Sequence, residues 1–157
     1  MKRIMTAITL LLLGFASIAD GADKPARFAP QDKCPVCGMF VAGHQNFAGR
    51  IVYKDGSYAV FDGAKDMFTY YLNLQKYAPG KTASQIASLS VTDYYSLSLI
   101  DGFSASYVVG SDVLGPMGKE LVPFARAADA EEFKRDHKGK RIVKFRDVTP
   151  ALIRRLE

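Results

Sequence analysis

The run Asp32-Lys33-Cys34-Pro35-Val36-Cys37-Gly38-Met39 sets both cysteines of the chain, and one of its five methionines, within six residues. Two thiols two residues apart can close on one metal ion. Thiolate together with thioether selects Cu(I), because polarizable sulfur suits a soft d10 cation. Gly38 permits a turn that brings the Met39 sulfur toward the same point. A second thioether, Met117, is framed by Gly115, Pro116 and Gly118 between two strand-like runs, where an apolar side chain has no periodic face to join. His44, in the turn Gly43-His44-Gln45-Asn46, adds a candidate imidazole. The expected ligand set is therefore Cys34, Cys37, Met39, Met117 and His44. Met67 reads instead as a core residue of a helix, and His137 as a cation complementing a helix C-terminus.

Other uses of the pair stay open at this point. Cys34 and Cys37 can close a small disulfide in an oxidising compartment. They can also work as the nucleophilic and resolving thiols of a thiol-disulfide oxidoreductase. That chemistry needs a depressed thiol pKa, usually from a helix opening at the motif, and here the motif follows an irregular leader and precedes Gly38. Zinc ranks third, since a structural zinc site takes four Cys or His ligands and the chain has two distant histidines. No Ser-His-Asp order, phosphate loop or paired carboxylate setting points to hydrolysis.

The first residues read as an export signal: Lys2 and Arg3, an apolar run from Ile4 to Phe15, and small residues ending at Ala19. Cleavage after Ala19 removes two cations and no acid, lowering the formal net charge from +5 to +3. The apolar run is shorter than the ~20 residues of a membrane-spanning helix, and no cysteine precedes Cys34, so neither a membrane nor a lipid anchor is expected. The basic residues are scattered without stacking aromatics between them, which argues against nucleic acid.

What must position the sulfur atoms is one small domain. Residues 20–45 read as an extended leader that carries the motif on the surface. Phe47–Tyr53 and Ser57–Phe61 read as strands joined at Lys54-Asp55-Gly56, a strong hairpin signal. Asp62 is a candidate N-cap for a helix through Gln75, and Ser90–Tyr95 a third strand. The order repeats with strands at Ala105–Val109 and Lys119–Phe124, a helix over Ala127–His137 and a strand at Arg141–Phe145. The expected fold is α+β, two ββαβ units over residues 46–100 and 101–157, closed by a short helix over Pro150–Leu156.

The Cys34-Pro35-Val36-Cys37-Gly38-Met39 element resembles the NosL family of nitrous-oxide-reductase accessory proteins. So do Phe61-Asp62 after the strand pair, the run from Ser111 to Gly118 with its Gly115-Pro116-Met117-Gly118 loop, and Leu121-Val122-Pro123-Phe124. The resemblance covers about Cys34 to Phe145. It implies a periplasmic Cu(I) chaperone of two ββαβ units, a fold also likened to part of organomercurial lyase. It further implies delivery to apo nitrous oxide reductase during assembly of its copper-sulfide centre, with an ABC-type maturation complex as partner. Cys34, Cys37, Met39 and Met117 match the family's sulfur-bearing positions. Many members look like lipoproteins, whereas this chain is expected to be released.

Overall fold

The computed structural model describes residues 28–157; the expected signal segment and residues 20–27 of the leader lie outside the described residues. Strands β1 (Gly49–Tyr53) and β2 (Tyr58–Phe61) form the predicted hairpin. Gly56 takes a φ of +84° in its turn. β1 buries alternate residues Gly49, Ile51 and Tyr53, the period-two pattern of a strand with one face on a core. Helix α1 (Ala64–Tyr71) follows, then the short α2 (Leu74–Tyr77) and β3 (Ile86–Thr92), which pairs antiparallel with β1.

Four local readings change. The helix expected to run to Gln75 breaks after Tyr71: the Asn73 amide donates to the Thr69 carbonyl at 2.8 Å, taking an acceptor from the last turn. The strand expected at Ser90–Tyr95 starts earlier and stops at Thr92. Asp93 Oδ1 accepts the backbone N–H groups of Tyr95 and Ser96 there and turns the chain. That turn leads into an unexpected edge strand, β4 (Leu99–Asp101), which pairs with β3 and gives the sheet order β2-β1-β3-β4. Finally, the N-cap of α1 is Gly63, and the Asp62 side chain makes no capping bond.

The second unit repeats the order with β5 (Ser106–Gly115), β6 (Gly118–Phe124), α3 (Ala127–Asp136) and β7 (Arg141–Lys144). Its sheet order β6-β5-β7 matches β2-β1-β3 in the first unit, so both units place their first strand in the middle. Helix α4 (Pro150–Arg154) closes the chain; Thr149 Oγ1 accepts the Leu152 N–H at 3.2 Å and Pro150 starts the first turn.

Tyr107, Val109, Leu121 and Val143 of the second sheet join the main core with Ile51, Phe61, Met67, Phe68 and Leu89. The opposite face of that sheet, Val108 and Val122, packs with Phe124 against Ala130 and Phe133, the buried residues of α3. Burial on both faces accounts for the unbroken apolar runs at 107–109 and 121–124. Helix α1 thus lies against its own sheet and against β6, where the two units meet.

Candidate metal centre

The Cys34–Met39 segment folds as a miniature hairpin. Cys34 N donates to Met39 O and Gly38 N to Cys34 O, each at 2.9 Å, and a bridge pairs Lys33 with Phe40. Gly38 makes the turn at φ +81°, a conformation that costs a residue with a Cβ. The hairpin lies at the surface with Pro35, Gly38 and Phe40 exposed, and it is anchored inward at one residue. Phe28 and Cys34 are both buried in the main core, Cys34 with 1% exposure, while Cys37 is only partly covered. Asp32 pins the segment, accepting from Ala29 N at 3.0 Å and from Tyr58 Oη at 3.2 Å.

Both thiols point at the start of α1. Cys34 Sγ donates to Asp66 Oδ2 at 3.3 Å and Cys37 Sγ to Asp62 Oδ1 at 3.2 Å. The two sulfur atoms and one oxygen from each carboxylate all lie within 4.8 Å of one another. Asp62 and Asp66 are buried, and Asp62 Oδ2 is a buried acceptor with no hydrogen-bond partner, the second oxygen of the carboxyl that takes the Cys37 thiol.

Burial dominates the electrostatics. It pushes the Cys34 thiol far above its ordinary range, against the pull of the Cys37 and Val36 backbone N–H groups and with a further push from the carboxylates. Cys37 is pushed up to about 11 by burial, opposed by the Met39 N–H and helped by both carboxylates. Burial also raises Asp66, with the hydrogen bonds from both thiols acting the other way and the charge of Asp62 adding to the rise. Two protonated thiols on two carboxylates are poor nucleophiles, the reverse of what an oxidoreductase needs. Neither cysteine is in a disulfide.

Of the residues singled out from sequence, Cys34 and Cys37 enter this group directly. Met39 lies half-buried in the hairpin turn. Met117, 45% exposed, occupies the two-residue turn between β5 and β6 with Pro116. Its carbonyl accepts the Lys65 ammonium at 2.6 Å, which ties it to the residue beside Asp66. His44 ends a 3-10 turn and lines a separate hollow with Asn46, Phe47 and Leu97. Met67 is fully buried, as its helical position requires.

Asp62 and Asp66 were missed. The signal was their spacing of four, one helical turn, at the point where a strand gives way to a helix. Reading Asp62 as a cap absorbed the first of the pair and left Asp66 without a role.

The NosL family model matches residues 25–153. The chain is 31% identical over 132 residues to a curated protein of Stutzerimonas stutzeri named copper-binding lipoprotein NosL, covering 83% of this chain and 68% of that one. In fold it is similar to the crystal structure of the copper chaperone NosL from Shewanella denitrificans. That likeness has a TM-score of 0.65 at 24% identity, over 82% of this chain and 98% of the other.

Proposed function

The chain belongs to the NosL family, and from that premise we propose that it is an exported copper chaperone that carries Cu(I) on Cys34 and Cys37. The observation that carries this reading is the convergence of two thiols from one hairpin on the start of α1, with one sulfur buried and the other at the rim. Met39, paired through its backbone with Cys34, and Met117, in the turn between β5 and β6, are the thioether donors of the proposal. His44 is its outlying imidazole.

The apo site holds its thiols protonated on carboxylates, which slows oxidation of the pair before loading. Cu(I) displaces those protons, and the partly exposed Cys37 is the sulfur through which an incoming ligand can take the ion by exchange. The cargo's acceptor in this proposal is apo nitrous oxide reductase, working with an ABC-type maturation complex, in the periplasm after removal of residues 1–19. The family resemblance supports that part. No described helix is long and apolar enough to cross a membrane.

The test is an anaerobic Cu(I) titration of the reduced protein against a chromophoric chelator, with Cys34→Ala and Cys37→Ala in parallel. Tight binding that is lost in both variants supports the chaperone; failure to compete with the chelator removes it. For the acceptor, the copper content of nitrous oxide reductase is compared in cells with and without this chain, and equal content excludes it as the client.

A further inference from the structure

The copper reading makes no use of a hollow at the outer end of the second sheet. β5 runs on to Gly115 past its last pair with β7, Val109↔Arg141, and shifts its register against β6 on the way. The start of β7 and the C-terminal end of the chain around α4 close the space beside it, about 690 Å3. Val109, Leu152 and Leu156 make an apolar floor, and Leu114 stands at the rim on the β5–β6 hairpin. Leu114 is 62% exposed, more than any other large apolar side chain among the described residues.

Four cations surround that floor, Lys119, Lys140, Arg141 and Arg155, and among the described residues no acid lines it. None of the four has an ion-pair partner there; the pairs that form engage Lys81, Arg126, Lys134, His137 and Lys138. Asp112, the acid of β5, turns to His137 and Lys138. The fold holds Lys140 in place. Gly110 takes φ +76° where β5 shifts register, and a Cβ there would meet Lys140 Cγ at 2.9 Å, so the lysine stem lies across the glycine.

We propose that this hollow and its cationic rim dock the protein on a bilayer containing anionic phospholipid, with Leu114 entering the interface and headgroup phosphates meeting the four cations. The inference goes beyond the copper reading and does not depend on it. It gives the carrier a reversible, salt-sensitive membrane contact, independent of any lipid anchor.

Composition decides between a membrane and a protein partner. Lysine is depleted at the centre of protein–protein interfaces, where charge must be desolvated. Lys and Arg around an apolar patch suit headgroups instead, because their stems cover apolar ground while the charges stay in water beside phosphate. Each such cation strengthens binding to an anionic surface roughly fivefold, so four act together where one is weak. Neither the charge nor the leucine suffices alone, since stable anchoring takes two signals.

The test is flotation of the processed chain, residues 20–157, with lipid vesicles, as wild type, as Leu114→Ser and as the double variant Lys140→Gln, Arg141→Gln. All three positions are exposed, and melting curves check that each variant folds. Wild type should bind mixed phosphatidylglycerol and phosphatidylcholine vesicles, leave phosphatidylcholine alone unbound, and come off as salt rises from about 0.05 to 0.5 M. Partitioning should fall at least about tenfold in the double variant and at least about threefold in Leu114→Ser. Equal binding to neutral vesicles, or a double variant that binds as wild type does, overturns the proposal. Binding of polyglutamate with no binding to anionic vesicles also overturns it, and assigns the hollow to an acidic protein partner. Amide resonances of wild type with dihexanoyl phosphatidylglycerol need no variant. Shifts are expected at Gly110, Ser111 and Leu114; shifts confined to other parts of the chain overturn the location.

Discussion

The backbone N–H of Lys65 donates to Glu120 Oε1 over 2.6 Å, so a carboxyl group from β6 caps the helix that carries Asp66. The same oxygen accepts Leu121 N at 2.9 Å. Glu120 has no exposure to speak of, and a Cβ at Gly63 would collide with its second oxygen. Capping from outside the helix leaves Asp62, the residue placed by sequence to do it, available to Cys37.

Burial pushes Glu120 up to about 8 from the usual 4.5, against the two N–H bonds that favour its ionised form. The folded protein thus binds a proton that the unfolded chain has lost between those values. The contribution is complete below about 4.5 and disappears as pH rises through 8. The melting temperature of wild type should fall relative to Glu120→Gln between pH 5 and 8.5 by roughly ten degrees, about 4 kcal/mol. A difference that does not change with pH counts against a protonated Glu120.

Metal loading should depend on pH in the opposite sense. Both thiols are protonated near neutrality, with Cys37 raised to about 11 and Cys34 further, so Cu(I) must displace their protons. Affinity should climb up to about tenfold per pH unit for each proton released across pH 6 to 8, with no plateau. In the apo protein, iodoacetamide should alkylate Cys37 slowly at pH 8 and speed up toward pH 11. Fast labelling at neutral pH would show a thiolate where the structure holds a thiol.

The two cysteines should differ in what they do for the fold. Cys34 is buried in the main core, and Cys34→Ala should destabilise by about 1–2 kcal/mol in a chemical melt of the apo protein. Cys37→Ala, at the rim, should cost less than about 1 kcal/mol. Equal losses would place Cys37 deeper than it is here.

Met117→Leu isolates the thioether. The side chain is 45% exposed in its turn, so stability should change by less than about 0.5 kcal/mol. Cu(I) affinity should nevertheless fall roughly tenfold, in line with the loss of one sulfur donor. Unchanged affinity in the chelator competition would take Met117 out of the ligand set.

Gly38→Ala tests the hairpin through its backbone. No atom lies within 4 Å of a Cβ built there, so the cost, about 1 kcal/mol, comes from φ +81° alone. Cu(I) affinity should drop with it, because relaxing φ swings Cys37 away from Asp62. A variant that melts early yet binds copper normally would separate the turn from the site.

The repeated ββαβ order was legible because its signals are local: Asp55-Gly56 for the first hairpin, Gly115 to Gly118 for the second, and period-two burial in β1. The thiols were legible for the same reason, as unusual residues in a short frame, and so was the turn that carries Met117. β4 was not, since a three-residue edge strand exists only because β3 offers it partners. Nor were the aspartates, whose meaning comes from cysteines 25 and 32 residues away in the chain. The cap from Glu120 crosses 55 residues, and no window of sequence contains it.

The separation between the sulfur-bearing and oxygen-bearing segments has a further consequence. An unfolded chain keeps the Cys34–Cys37 pair but lacks the core and the buried carboxylates that hold both thiols in place, so the centre takes its geometry only with the fold. Metal then shifts the folding equilibrium by mass action, more strongly as free ion rises. Loading then protects the carrier: a copy that misfolds between the hairpin and the helix keeps only the bare thiol pair, gains less from the metal and is the copy more readily lost to proteolysis.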